Sequence, residues 1–214
     1  MAIKKKDFIE LSFIGRVKSN NLIFDLTEEE AAKKAGVYNS KTKYGPKKIC
    51  VGQRHIIPGL DKQLEGKEIG KSYSIEVNHN EAFGNKDQKL IKTMNSNMFL
   101  KEKINPFPGL QINADGYLGT VKSVSSGRVV VDFNHPLAGK DLVYNINILR
   151  EIQEDSEKLR SLLLNELALN EENYEIKEDG QNYSINLKKD IPDKIKEKFI
   201  GRVKELIPSI NVKF

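Results

Sequence analysis

The side chains best suited to nucleophilic or metal chemistry in this sequence are one cysteine, Cys50, and three histidines, His55, His79 and His135. A structural zinc site takes four ligands in closely spaced Cys and His pairs, whereas these histidines are scattered. Cys50 stands in the apolar stretch Lys48–Val51 and reads as a buried, inert thiol. A Cys–His nucleophilic pair would need a neighbour in space that sequence spacing does not supply. The glycines are single and widely spaced, so no phosphate-cradling loop is read. Lys4-Lys5-Lys6 is a solvated run without interleaved aromatics, and a net charge of +5 does not make a nucleic-acid footprint. No metal and no cofactor is expected, and a nucleic-acid partner is not.

The elements that must position any site alternate between strands and short helices. Ile9, Leu11 and Phe13 fall on one side of an extended segment over 7–14, with Glu10 and Ser12 opposite, which is the period of a half-buried strand. A short strand is expected at Leu22–Asp25. Thr27-Glu-Glu-Glu30 followed by Ala-Ala-Lys-Lys-Ala-Gly36 reads as a solvent-facing helix with Thr27 as N-cap and Glu30 as its capping-box partner. Gly59–Gly66 reads as a second short helix with Leu60 and Leu64 on one face, and Lys71–Asn78 as a strand. Residues 117–152 are strand-rich, with Ser125-Ser126-Gly127 turning a hairpin. After Ile152 the pattern changes. Leu159, Leu162, Leu163 and Leu167 recur at helical spacing, Asp179-Gly180 joins two strands, Pro192 opens a helix, and Ile210, Val212 and Phe214 alternate at the end.

At 214 residues the chain holds one large domain or a few small ones. With 38% hydrophobic and 30% charged residues it is polar but globular, which excludes collagen-like, disulfide-framework and strongly disordered classes. The longest stretch free of charge, Ile104–Ala114, is far below the ~20 apolar residues of a membrane helix. One cysteine calls for no oxidising compartment, and Asp7 and Glu10 interrupt any signal-peptide core. A soluble cytoplasmic protein is the expectation.

An ordered set of motifs stands out from this background. Phe13 precedes Gly15; Phe24-Asp25 follows; Val51-Gly52 leads to Ile56-Ile57-Pro58-Gly59-Leu60; Glu81-Ala82-Phe83-Gly84 comes next; and Phe133-Asn134-His135-Pro136-Leu137-Ala138-Gly139-Lys140 precedes Leu142-Val143-Tyr144. Taken singly, each aromatic reads as a core residue. As a series over about residues 4–152 they resemble the FKBP-type peptidyl-prolyl isomerases, and among these the SlyD-like branch.

That resemblance implies an α+β fold. An FKBP-like antiparallel sheet would wrap a short helix, interrupted by a small β-rich inserted domain and followed by a C-terminal α/β-mixed domain. The implied boundaries are 1–85 with 132–153 for a discontinuous catalytic domain, 86–131 for the insert, and 154–214 for the C-terminal domain, which looks like that of the long archaeal members. It further implies that Phe13, Phe24, Ile57, Leu60, Phe83 and Tyr144 line a prolyl socket, with Asp25 at its edge. The Ile56 backbone and Phe83 would hold the substrate chain, and Leu137 and Ala138 would close the rim. Leu60 stands where many members carry Trp, and Phe13 and Phe83 stand where Tyr is usual.

Such a socket would do its work without covalent help. Amide resonance imposes a rotational barrier of about 18–20 kcal/mol, while the two X–Pro isomers are close in energy. An apolar cup that strips water from the planar amide and fits the twisted one lowers that barrier. In the insert, Ile91, Met94, Met98, Phe99, Ile104, Phe107, Leu110 and Tyr117 would divide between a small core and, by resemblance, an exposed surface for unfolded chains. Tethering such a surface beside the socket raises the local substrate concentration. The expected partners are unfolded or proline-containing polypeptides, plus a homodimer through the C-terminal domain, whose last residues could form an edge strand. Two other readings stand beside this one: a holdase with a weak or vestigial isomerase pocket, and an RNA-associated factor resting on the charge of about +6 before residue 155.

Overall fold

In the computed structural model, which describes residues 2–214, the chain forms two compact units, residues 2–77 with 142–214 and residues 78–141. The first begins with β1 (Phe8–Val17), β2 (Ile23–Leu26), α1 (Glu29–Lys34), β3 (Lys47–Cys50), α2 (Pro58–Leu64) and β4 (Ser72–Val77). The second follows, with β5 (Ile91–Asn95), α3 (Ser96–Lys101), β6 (Gln111–Ala114), β7 (Tyr117–Ser125) and β8 (Arg128–Asp132). The chain then returns to the first unit through β9 (Leu142–Glu151), α4 (Asp155–Leu167), β10 (Tyr174–Asp179), β11 (Asn182–Leu187), α5 (Asp193–Leu206) and β12 (Asn211–Lys213). The α+β class and the antiparallel sheets expected from the sequence are those observed. Among the described residues no helix is long and apolar enough to cross a membrane.

The main sheet of the first unit runs β2-β1-β9-β4, with β3 also paired to β1, and these pairings are antiparallel. Its buried positions, among them Leu11, Phe13, Ile75, Leu142 and Ile146, face the buried residues Leu60 and Leu64 of α2 as one apolar layer against another. The pairing of β1 with β9 shifts register between Glu10 and Leu11. The extra residue is Leu149 of β9, since Glu10 pairs with Arg150 and Leu11 with Ile148. Phe8 and Ile9 point to opposite faces of β1, and both are buried. Phe8, Cys50 and Ile152 join a core cluster with Leu159, Leu162 and Leu163 of α4, Tyr183 and Ile185 of β11, and Phe199 and Val203 of α5. The C-terminal three-stranded sheet, ordered β10-β11-β12, completes that cluster, with β12 parallel to β11.

The first helix differs from its sequence reading. It starts at Glu29, and Glu28 at its N-cap makes no side-chain capping bond. Thr27 is instead buried: its Oγ1 accepts from the Phe13 backbone N–H at 2.9 Å, and its own N–H donates to the Phe13 carbonyl at 3.0 Å. Pairing with β1 takes this threonine before the helix can use it.

In the second unit the sheet runs β5-β8-β7-β6. Its core is Phe99, Ile112, Val121, Val129 and Val131, with Met94, Leu110 and Phe133 packed against it. Gly119 on β7 lies beneath the Phe133 ring, where an added Cβ would stand 2.7 Å from that ring and from Val131. Asp132 is buried at the end of β8; it accepts from Lys86 Nζ at 2.7 Å and from Asn134 N and Nδ2 at 3.0 and 2.8 Å. Burial works to raise this carboxyl, but the Lys86 and Asn134 bonds together outweigh it and hold the pKa at about 2.

Candidate active site

The first unit gathers one part of the expected socket around a glycine. In register, Gly15 of β1 lies between Asp25 of β2 and Tyr144 of β9. It has no side chain to separate its neighbours, and a Cβ there would stand 2.9 Å from both Phe24 Cζ and Tyr144 Cε1. The rings therefore close over it. Phe24 meets Tyr144 edge-on, with centroids 5.7 Å apart and planes at 88°, and Phe13 meets Tyr144 at 5.5 Å and 69°. Such T-shaped pairs contribute about 0.5–1.5 kcal/mol each beyond area burial and fix ring orientation. Phe13 and Tyr144 are buried, while Phe24 and Asp25 are half-buried, leaving an accessible edge. The Lys47 ammonium sits 5.2 Å from the Phe13 ring centroid.

Burial, aided by the negative field of Asp25, pushes the Tyr144 hydroxyl well above its ordinary range. It stays protonated at every working pH, so Tyr144 offers a neutral, hydrogen-bond-capable wall. Leu60 is buried on the first turn of α2, and Ile56 and Ile57 are half-buried in the segment before it.

Asp61, which the sequence reading missed, and His55, which it read only as one of three scattered histidines, hold that segment. Asp61, buried in α2, accepts from the backbone N–H groups of Gly52 and Arg54, each at 2.8 Å, across a turn in which both residues have positive φ. His55 is turned inward, and its Nδ1 accepts from the Cys50 N–H at 3.1 Å. These bonds tie the turn at 50–54 to α2 and enclose the short segment that carries Ile56 and Ile57. No sequence signal pointed to Asp61, because its partners are main-chain groups of a turn that only the fold defines. Cys50 beside it is chemically quiet, since burial pushes its thiol up to about 12.

In the second unit Phe83 stacks flat on His135, with centroids 4.4 Å apart and planes at 3°. The two turns carrying them are stapled by Gly139 N to the Gly84 carbonyl and Gly84 N to the His79 carbonyl, both 2.7 Å. His79 is fixed in turn by Asp141, whose Oδ1 accepts the backbone N–H at 2.9 Å and lies 2.6 Å from His79 Nδ1. His135 Nδ1 accepts from the Leu137 N–H at 3.2 Å, and Leu137 and Ala138 are buried. The three histidines thus serve as fixing points. That role was open to a His-to-main-chain argument but not to a spacing argument.

The residues expected to catch unfolded chains divide in two. Phe99 is core, with Met94 and Leu110 against it, and Ile91 is half-buried. Met98, Ile104, Phe107 and Tyr117 are exposed, as are Leu100 and Leu118, which the sequence reading passed over. Phe107 is 56% and Tyr117 71% accessible, unusual for such large apolar surfaces.

The sequence is similar to those of known proteins. The profile of the FKBP-type peptidyl-prolyl cis-trans isomerases matches residues 1–100, and that described as FKBP26, IF domain, matches residues 96–137. A short-type peptidyl-prolyl cis-trans isomerase of Methanocaldococcus jannaschii is 30% identical over 151 residues, covering 71% of this chain and 94% of that protein. The FKBP-type peptidyl-prolyl cis-trans isomerase SlyD of Yersinia pestis is 32% identical over 114 residues, covering 51% of this chain and 57% of that protein. SlyD of Escherichia coli K12 is 32% identical over 111 residues, covering 49% and 56%. The chain therefore spans little more than half the length of its SlyD relatives but nearly all of the short-type one. With the ring cluster over Gly15 in place and a relative this similar along almost its whole length, the chain belongs to the FKBP-type peptidyl-prolyl cis-trans isomerase family, with the SlyD-like character expected from its sequence.

Proposed function

We propose that this protein catalyses cis–trans rotation about X–Pro bonds in polypeptides and also holds unfolded chains, acting in the cytoplasm. The observation that carries the isomerase reading is the Asp25–Gly15–Tyr144 register, over which the Phe24 and Tyr144 rings close. A prolyl ring seated against Phe13, Phe24, Ile57, Leu60 and Tyr144 leaves water, and the planar amide loses the solvation that favours its polar resonance form. Asp25 at the accessible edge biases the field at the substrate carbonyl, and the Ile56 main chain pairs with the substrate. In the second unit, Phe83, Leu137 and Ala138, on turns joined through Gly84 and Gly139, offer polypeptide a contact surface of their own. No bond is made, so no nucleophile or cofactor is required.

The functional division proposed is 1–85 with 132–153 for rotation, 86–131 for capture, and 154–214 for support. Capture falls to the exposed Met98, Ile104, Phe107 and Tyr117, reinforced by Leu100 and Leu118. The edge position of β12 supports self-association through 154–214; size-exclusion with light scattering should give twice the chain mass, and a monomer would remove that element.

The test of the isomerase reading is Phe24→Ala. Phe24 is half-buried, so the variant should fold. The kcat/KM for a prolyl tetrapeptide should fall about a hundredfold, or about 2.7 kcal/mol at 1.36 per decade. Full activity in both Phe24→Ala and Asp25→Ala would leave a holdase without this socket.

A further inference from the structure

Beside the aromatic cluster, and within the same unit, lies a cavity of about 580 Å³. That volume is in the range of ligand pockets, about 300–1,000 Å³. One wall is the segment 42–48 leading into β3, and the other is α4 with the residues that follow it. Asp25 and Lys47 belong to both places: Asp25 lines the cavity and acts on Tyr144, and Lys47 lines it while its ammonium lies over Phe13. Asp25 and Lys47 thus link the lining of the cavity to the aromatic cluster.

Both walls are built rather than draped. The Lys48 carbonyl accepts from Ser161 Oγ at 2.9 Å and from Asn165 Nδ2 at 2.8 Å, which pins α4 to β3. Opposite, Tyr44 stacks on Tyr38 at 5.6 Å and its hydroxyl accepts from the Asn39 N–H at 2.9 Å, while Gly45 N donates to the Thr27 carbonyl at 2.7 Å. The chemistry inside is mixed. Leu164, 48% accessible on a helix whose other leucines are largely covered, faces the cavity with Leu169, Tyr44 and Pro46. The Lys48 ammonium is paired with Glu157 at 2.7 Å. Lys43, Lys47 and Arg160 then stand against the carboxylates of Asp25 and Glu171, an excess of one positive charge.

We infer that this cavity is a second subsite for the polypeptide substrate. It would seat the residues flanking the X–Pro bond and prefer a segment that pairs an apolar side chain with a carboxylate. A segment entering from the socket meets Leu164 and the Tyr44-Pro46 wall for its apolar side chain, and Lys43 and Arg160 for its acid. The C-terminal module would thus select substrates through α4. The inference rests on the isomerase reading above.

The experiment compares, for the full chain, kcat/KM of a prolyl tetrapeptide with that of the same peptide extended by six residues containing Leu and Asp, the extension placed at either end. One extension should raise kcat/KM about tenfold, through KM. Leu164→Asp should reduce that gain to under twofold while leaving tetrapeptide turnover unchanged, and Lys in place of Asp in the peptide should forfeit most of it. No gain from either extension, or a gain that survives Leu164→Asp, overturns the subsite. Should the tetrapeptide itself not turn over, the isomerase reading fails instead. Fluorescence anisotropy of the labelled extended peptide then decides the subsite, with binding lost in Leu164→Asp supporting it and binding retained overturning it.

Discussion

Each of the two compact units places a four- or five-stranded antiparallel sheet against helix, yet they use their large apolar residues in opposite ways. In the first, the layers over β1 and β9 and the cluster joining Phe8 and Cys50 to α4 and α5 bury Phe, Ile and Leu almost completely. In the second, the core consists mainly of Val and one Phe, while Met98, Leu100, Phe107, Tyr117 and Leu118 lie at the surface. A unit of some 60 residues buries only about 60% of the surface its unfolded chain exposes, less than a larger domain does. Leaving its largest side chains outside then costs it stability that burial would have supplied, and a binding role explains why they stay outside. Variants that damage one unit and spare the other test this division of labour.

The largest effect belongs to the better-filled core. Phe199 is fully buried in the cluster beneath α5 and meets Phe214 edge-on at 5.8 Å. Phe199→Ala should lower the stability of the first unit by about 3–5 kcal/mol, read as a shift of its urea midpoint. A loss below 1 kcal/mol would mean that the C-terminal cluster is not a tightly packed core. Next comes Gly119→Ala, which asks Phe133 and Val131 to yield to a Cβ at 2.7 Å. Overpacking of this kind costs about 1–3 kcal/mol. It should appear as early exchange of β7 and β8 amides, with tetrapeptide isomerisation by the first unit retained. Loss of isomerisation as well would mean that turnover depends on the second unit.

These packing relations were only partly readable in the sequence. The period of two in 7–14 and 71–78, the leucine spacing of α4 and the Asp179-Gly180 turn gave element types correctly, because each reports which face is buried. The motif order gave Phe13, Phe24, Asp25 and Tyr144 as a set, and the fold brings them together around Gly15. What could not be read depends on distant partners. Thr27 carries the signature of an N-cap and is drawn into the sheet by Phe13. Asp61 has no local signature at all, since it serves a turn seven to nine residues earlier. Phe8 joins the C-terminal cluster from the face of β1 opposite to Ile9, and Ile152 follows the extra residue Leu149 in β9, which no alternation announces.

Acid should affect both units, through different carboxylates. In the first unit, hydrogen bonds from Arg150, against some opposing burial and with further help from Lys48, hold Glu157 at about 2. In the second, Asp132 is held at about 2. Both folded values lie below the unfolded ones, so the stability these groups contribute is fully present above about pH 5 and drains away as the pH falls toward 2. For buried Asp132 the shift corresponds to on the order of 2 kcal/mol. Asp132→Asn should remove most of the acid dependence of the second unit between pH 5 and 3, followed by tryptophan-free probes such as tyrosine fluorescence or amide exchange. An unchanged acid profile in that variant would discharge Asp132 from this role.

The smallest effect on stability should accompany a large effect on holding. Replacing Met98, Leu100, Phe107 and Tyr117 by Ser touches side chains that are all more than half accessible. Surface changes of this kind usually stay within about 0.5 kcal/mol each, so the thermal midpoint of the second unit should scarcely move. Suppression of aggregation of a reduced, unfolded client should nevertheless fall steeply, since the apolar area that binds it is gone. Turnover of a tetrapeptide, too short to use that surface, should be unchanged, while catalysis of a proline-limited refolding step should drop. The pairing of these readouts separates exposure kept for binding from exposure imposed by small size. If the quadruple variant were markedly more stable and held clients equally well, those side chains would be an unburied remnant of a poor core, and capture would have to be sought in the first unit, where Leu164 and Ile195 are the large apolar side chains left open on its helices.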